Sequence, residues 1–332
     1  MPKQWTAEDV LELVRGYQPA CVLAAASDLD LFSTLAPKRM TADEVARRLG
    51  CDKRGVTVLL DALVALKLLE KRAGRYSVPK SVAKVLTRDG ADSVLAMTQH
   101  QANCLRRWDQ LAKVVRTGKP AERIPSVRGE RADAASFIEA MNDLNARFAD
   151  TVVREIQPLP FKRLLDVGGA SGTWTIAFLR ANRTATATMF DLPHVIPLAE
   201  RRLTEAGLRK RVTLVAGDFY TDALPMGADL AWISAIVHQN SREQNRALFG
   251  KIFRALAGVG RIAIRDILME KSRTAPAAGA LFAVNMLVGT EGGGTFTFDE
   301  LRQDLASAGF VGARIVRHDD GMNSVTVATK RK

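Results

Sequence analysis

Past Pro160 the texture of the chain changes, and that change constrains its fold more than any other feature. Short β-rich runs alternate with helical ones: RLLDV, TWTIAFLRA, TATMFD, VIPLAERRLTEAG, VTLVAGD and DLAWIS follow in order. The series continues with a helix near 242–257, the run GRIAIRDIL, a helix near 298–308, and closing strands at ARIVRH and SVTVATK. Such alternation predicts a parallel sheet with helices on both faces. Residues 158–332 are therefore expected to form an α/β, Rossmann-like, doubly wound domain.

Upstream the patterns are helical, with apolar residues three and four apart, as in Val22, Leu23, Ala26 and Leu29. Thr41 and Glu44 form a capping box that opens a short helix, and Gly50 stops it. A second helix from about Lys53 to Leu66 precedes LLEKRAGRYSVP, two extended runs around a turn at Ala73-Gly74. Helix, turn, helix and small hairpin make a winged-helix unit over 1–105. A further helical stretch spans 93–119, IPSVRGER is a connecting loop, and SFIEAMNDLNARFADTVVREI is an amphipathic helix ended by Pro158 and Pro160. The stretch 106–157 links the two domains.

The length of 332 residues leaves room for two cores, and 47% hydrophobic with 25% charged residues excludes the disordered and fibrous classes. Three cysteines without a CxxC pair suggest neither a disulfide framework nor a zinc site. The opening MPKQWTAEDV lacks a leader pattern, and no apolar run reaches the roughly 18 residues of a membrane span, so the cytoplasm is the expected compartment. The net charge of +12 is dispersed in short pairs, which reads as solvated surface and not as a dedicated nucleic-acid arm.

The sharpest motif is Leu164-Leu165-Asp166-Val167-Gly168-Gly169-Ala170-Ser171-Gly172, a strand that runs into a glycine-rich turn and then a helix. At the carboxyl edge of an open sheet such a turn lets backbone approach a ligand closely. About 20 residues on, the next strand ends at Asp191, where a carboxylate can bind ribose hydroxyls. A nicotinamide site wants G-x-G-x-x-G under a pyrophosphate, whereas this turn breaks that spacing and is preceded by Asp166, which suits a cation such as an α-ammonium. Asp218, with Phe219 beside it, follows the third strand and could bond and stack an adenine.

With these motifs in this order, the chain resembles the S-adenosylmethionine-dependent O-methyltransferases of the plant caffeate and hydroxyindole type and their bacterial relatives. The resemblance runs from RGYQPACVLAAASDLDLF through FIEAM, LLDVGGASG, FDLPHV, GDFY and ISAIVH to GGGTFTFDEL. It implies that S-adenosylmethionine is bound by Asp166, Gly168, Gly169, Asp191, Leu192, Asp218, Phe219 and Ser234 and leaves as S-adenosylhomocysteine, without a metal. It implies that the N-terminal domain forms a homodimer, and that Met141, Asn145, Asn285, Met286 and Thr290 touch a small aromatic acceptor. Ala170 stands where the family often has glycine, which is tolerable at negative φ.

Methyl transfer is an in-line displacement at a carbon that the sulfonium has already activated, so a protein must align the acceptor and remove its proton. His238 follows DLAWIS and a short apolar turn, near the cofactor edge, and is the candidate general base. Members of the family commonly place an Asp directly after this histidine, and plant members a Glu in GGKERT; here Gln239 and Thr295 occupy those places, with Glu291 near enough in sequence to substitute. Two rivals remain open: non-methylating hydroxylase- or decarboxylase-like chemistry on the same cofactor, and a winged-helix DNA-binding regulator. Against the second, KRGVTVLLDALVALKLL spends its surface on apolar residues, which dimer packing explains. C-, N- and S-acceptors also remain open.

Overall fold

The computed structural model describes residues 3–331, which divide into two compact units. The N-terminal unit comprises the chain up to Arg106 together with Arg123–Asp143; the C-terminal unit comprises Arg107–Glu122 together with the chain from Leu144 onward. The linking stretch is thus shared between them, and two of its helices run across the division.

In the N-terminal unit the helices are α1 (Ala7–Arg15), α2 (Tyr17–Asp28), α3 (Leu31–Leu35), α4 (Ala42–Leu49), α5 (Lys53–Ala65), α6 (Lys80–Leu86), α7 (Leu95–Trp108) and α9 (Glu130–Ala146), the last two ending across the division. Strands β1 (Met40–Thr41), β2 (Glu70–Arg72) and β3 (Arg75–Ser77) form an antiparallel sheet in the order β1-β3-β2. The Thr41–Glu44 capping box is present, and Gly50 ends α4 in the left-handed conformation. The hairpin turns at Ala73 and Gly74, both at positive φ. Helix α5 buries Val56, Leu60 and Leu63 in the unit's own core with Leu31, Phe32 and Leu35, so its apolar residues are first of all core residues. Helix α1 buries nothing: Trp5, Val10, Leu11, Leu13, Val14 and Tyr17 are all exposed.

The C-terminal unit contains α8 (Leu111–Thr117), α10 (Ala149–Glu155), α11 (Thr173–Ala181), α12 (Ile196–Glu205), α13 (Arg242–Ala255), α14 (Ala277–Gly289) and α15 (Phe298–Ser307). Its sheet has strands β4 (Arg163–Val167), β5 (Thr186–Asp191), β6 (Val212–Ala216), β7 (Ala228–Ser234), β8 (Leu256–Asp266), β11 (Phe310–Arg317) and β12 (Ser324–Lys330) in the order β11-β12-β8-β7-β4-β5-β6. The five consecutive strands β8, β7, β4, β5 and β6 are parallel, and β12 runs antiparallel to both β8 and β11. Short strands β9 (Leu268–Met269) and β10 (Phe296–Thr297) pair by themselves. One face is covered by α10, α11 and α12 over Phe178, Leu203 and Trp232, the other by α13 and α15 over Phe249, Ile264 and Leu305.

Strand order reverses between β4 and β7. At such a switch point the connections leave in opposite directions and open a crevice beyond the carboxyl ends of the strands. Two differences from expectation are informative. The single helix read across 136–156 is broken into α9 and α10 at Phe148, which caps α10. Helix α14 was not anticipated, because AAGALFAVNMLVG is apolar on every face and carries no period to read.

Candidate active site

The glycine turn is shaped by contacts that leave no room for side chains. Gly168 has φ +69°, and a Cβ there would lie 2.3 Å from Ile236 Cδ1 and 3.7 Å from Phe219. A Cβ on Gly169 would fall 2.6 Å from Met189 and 3.0 Å from Asp166 Oδ2. Gly168, Phe219 and Ile236 are thereby brought together at the ends of β4, β6 and β7. Ala170 departs from expectation: its φ is +48°, in the left-handed region, not negative. Its backbone N–H donates to Asp191 Oδ2 at 2.7 Å, while Leu192 N–H donates to Oδ1 at 2.7 Å, so Asp191 anchors the turn in that conformation.

Asp166 is fully buried and accepts a hydrogen bond from Thr175 Oγ1 at 2.6 Å. Burial, and then the neighbouring Asp191 charge, push its carboxyl up to about 7, against the pull of Thr175. Burial also raises Asp191. Two carboxyl groups whose ionised forms burial disfavours are suited to a cation and to hydroxyl donors, which would stabilise those forms. Asp218 Oδ1 accepts from Tyr220 N–H, and the Phe219 and Tyr220 rings are 4.5 Å apart. Ser234 accepts from Arg265 Nη1 at 2.9 Å. Arg265 is buried, lies 4.7 Å over the Trp174 ring, and binds Asn323 Oδ1 with Nε and Nη2; burial lowers its pKa to about 10. This arginine, unnoticed in the sequence, fixes the Ser234 hydroxyl at the end of β7.

Beyond Ser234 the chain reverses at Ala235, φ +58°, and a short turn over Val237–Gln239 presents His238. The orienting carboxylate, absent from the two sequence positions where the family keeps it, comes from elsewhere. Asp266, the last residue of β8, meets His238 Nδ1 at 2.9 and 3.1 Å through its two oxygens and accepts from His238 N–H at 3.2 Å. Glu291 is exposed and makes no such contact. Asn240, fully buried, accepts from Tyr220 Oη and donates to Asn245, whose amide donates to Val237 O. The glycine run passes over this turn: Gly294 N–H donates to His238 O at 2.8 Å, and a Cβ on Gly293 would lie 2.6 Å from that oxygen.

On α14 the Phe282 ring stands edge-on to His238 at 4.8 Å, and Asn285 Oδ1 accepts from Trp108 Nε1 at 3.0 Å. Met286 is buried. The Thr290 hydroxyl donates to Met286 O and accepts from Gly293 N–H, so it ties the glycine run to the helix. Met141 lies in the N-terminal unit and Asn145 in the C-terminal one, both on α9. Asp266 carried one readable sign: like Asp191, it is a carboxylate at the carboxyl end of an inner strand. Among the described residues no cluster of three or more His, Cys, Asp or Glu could hold a metal ion, and no helix is long and apolar enough to cross a membrane.

Comparison with known proteins agrees with this geometry. Residues 108–311 match the O-methyltransferase domain, and residues 11–89 the O-methyltransferase dimerisation domain. The chain is 33% identical over 327 residues to the 3-hydroxy-5-methyl-1-naphthoate 3-O-methyltransferase of Streptomyces sahachiroi, covering 96% of this chain and 94% of that one. Human N-acetylserotonin methyltransferase, solved in complex with S-adenosylmethionine, superposes with a TM-score of 0.81 at 25% identity over 100% of both chains. PigF, solved with S-adenosylhomocysteine, gives 0.86 at 26% identity over 99% and 100%. The chain belongs to the O-methyltransferase family and uses S-adenosylmethionine.

Proposed function

We propose that the chain methylates a hydroxyl of a small aromatic acceptor, with His238 as the general base. The observation that carries this reading is the His238–Asp266 pair at the carboxyl edge of β7 and β8. In the bound cofactor a cationic sulfur carries the methyl group and makes it electrophilic. Asp166 is the residue for the α-ammonium, Asp191 for the ribose hydroxyls, and Asp218 with Phe219 for the adenine; Gly168, Gly169, Leu192 and Ser234 complete that cradle. Asp266 accepts a hydrogen bond from Nδ1–H, which leaves the Nε2 lone pair to receive the acceptor's hydroxyl proton as its oxygen attacks the methyl carbon and the bond to sulfur breaks. The imidazolium so formed is held beside a buried carboxylate. Such a base contributes about 10²–10⁴-fold.

Met141, Asn145, Asn285, Met286 and Thr290 are the proposed acceptor contacts, the last through the backbone its hydroxyl holds in place. A homodimer in the cytoplasm is part of the same reading: the uncovered apolar face of α1 lies at the start of the dimerisation segment, and the three cysteines form no disulfide among the described residues. The Asp266 contact also supplies the orienting carboxylate that Gln239 and Thr295 do not, which favours methyl transfer over the non-methylating alternative.

The test is transfer of isotope-labelled methyl from S-adenosylmethionine to a panel of phenols and naphthols, wild type against His238→Ala. The expected outcome is a labelled methyl ether whose rate falls at least 10²-fold in the variant while cofactor affinity stays within about twofold. Undiminished transfer in the variant would remove His238 from the chemistry, and a wild type that binds cofactor and labels nothing would remove hydroxyl methylation.

A further inference from the structure

We propose that one face of α14 reads a negatively charged group on the acceptor, with Arg107 pairing to that group, so that the preferred substrates are anionic aromatic hydroxy compounds such as hydroxy acids of two fused rings. The inference rests on the hydroxyl methylation at His238 proposed above and deepens it. All the groups involved lie in the C-terminal unit.

Phe282, Asn285, Met286 and Gly289 share one face of α14, spaced three, four and seven residues from the first. At its beginning Phe282 packs on the His238 ring. One turn on stands Asn285, the sole polar side chain of the helix. An indole N–H can only donate, so the Trp108 bond fixes the Asn285 amide with its oxygen toward the tryptophan. The amide nitrogen then has two N–H donors and no acceptor among the described residues. A further turn on, Gly289 has no side chain, and Arg107 Nη1 lies 3.4 Å from where a Cβ would stand.

Arg107 is half-buried, and among the described residues no carboxylate, carbonyl or ring pairs with its side chain. Elsewhere in the unit comparable arginines are matched, Arg242 to Asp304 and Arg317 to Glu155. An unmatched, partly desolvated guanidinium beside a free amide donor is complementary to an oxyanion. Favourable contact with the carboxyl end of α14 accounts for the charge but not for the amide. From Phe282 to Gly289 the rise is about 10 Å, at about 1.5 Å per residue. Base, apolar ring, amide donor and cation are therefore laid out in sequence over the length of a substituted bicyclic aromatic.

The test uses full-length protein loaded with S-adenosylhomocysteine and two probes of equal shape, 1-naphthoate and 1-naphthamide, with affinities measured by calorimetry. The acid is expected to bind at least tenfold more tightly than the amide. Arg107→Met should erase that preference and leave naphthamide and cofactor affinities unchanged; Arg107→Lys should keep part of it, and Asn285→Leu should weaken both probes. An acid that binds no better than the amide, or fails to bind, overturns the proposal without any variant; so does a preference that survives Arg107→Met. Hydroxyl methylation is read separately, from label transfer to hydroxynaphthoates and naphthols. Preference for the acid without label transfer leaves the anion site standing and removes the methylation reading; labelled naphthols with no preference do the reverse.

Discussion

The two halves of the site are built differently. Along β4, β5 and β6 the proposed cofactor residues Asp166, Asp191 and Asp218 lie at or just beyond the strands' carboxyl ends, and the shape is set by backbone and neighbours: Gly168 against Ile236, Ala170 N–H on Asp191, Thr175 on Asp166. Along β7, β8 and α14 the working contacts join distant residues. His238 is oriented by Asp266, 28 positions away, and Asn285 by Trp108, 177 positions away. In the reading proposed above, the first half serves the invariant cofactor and is written in local motifs. The second serves the acceptor and is written in tertiary contacts.

The largest expected effect breaks the second half and spares the first. Asp266 accepts from His238 N–H and from Ile267 N–H, one on each oxygen, while both oxygens face Nδ1. In Asp266→Asn one oxygen becomes an NH₂ that must confront a donor, so the turn loosens and the Nδ1 proton loses its charged partner. The rate of transfer should fall about 10³–10⁴-fold, or about 4–5.5 kcal/mol, with cofactor affinity within twofold. Single-turnover rates and cofactor titration check both halves; a parallel loss of cofactor affinity would mean that the two halves are not separable.

A smaller effect breaks the first half in the opposite sense. The Asp166 carboxyl is raised from 3.8 to about 7. The folded chain therefore holds this proton more tightly than the unfolded chain. The contribution to stability is full below pH 3.8 and is lost as pH rises toward and through 7. Three pH units correspond to at most about 4 kcal/mol. Asp166→Asn should accordingly stabilise the cofactor-free protein above pH 7, as seen in urea midpoints at pH 8, and weaken cofactor binding there. In wild type, cofactor affinity should rise by up to about tenfold per unit between pH 5 and 7 and level off above. Affinity independent of pH across that window would show that this carboxyl does not meet the cofactor's cation.

What was legible follows the same division. The alternation after Pro160 and the ordered carboxylates Asp166, Asp191 and Asp218 name fold and cofactor, because strand, turn and helix each leave a local signature. The Thr41–Glu44 capping box and Gly50 were readable for the same reason. Of Asp266 only its place at a strand end was readable, and Arg265 was not readable at all: they sit adjacent in β8, and only the pairing of Ser234 with Arg265 in the sheet shows which faces what. Helix α14 escaped because it is apolar even where Leu281 and Leu287 are exposed, so no polar face sets its period. The three-glycine run read as a departure from GGKERT, yet at two of its positions the constraint is steric, since Gly292 must clear Ser241 and Gly293 the His238 carbonyl.

Ala170 gives the smallest test of the comparison, and the one in which a sequence departure and a structural constraint meet. An alanine at φ +48° costs about 1 kcal/mol through its Cβ, and the Asp191 bond to its N–H holds it there. Glycine would relieve that strain but add roughly 0.5–1 kcal/mol of unfolded-chain entropy. Ala170→Gly should therefore change stability by less than about 1 kcal/mol, toward greater stability if the strain dominates. Cofactor affinity should stay within about threefold, because the working group is the backbone N–H, which the substitution keeps. Ala170→Val, which adds a branched side chain in the left-handed region, should destabilise by more than that. If Ala170→Gly instead weakens cofactor binding tenfold, the methyl group is itself part of the cradle, and this half of the site is held by side chains as much as by backbone.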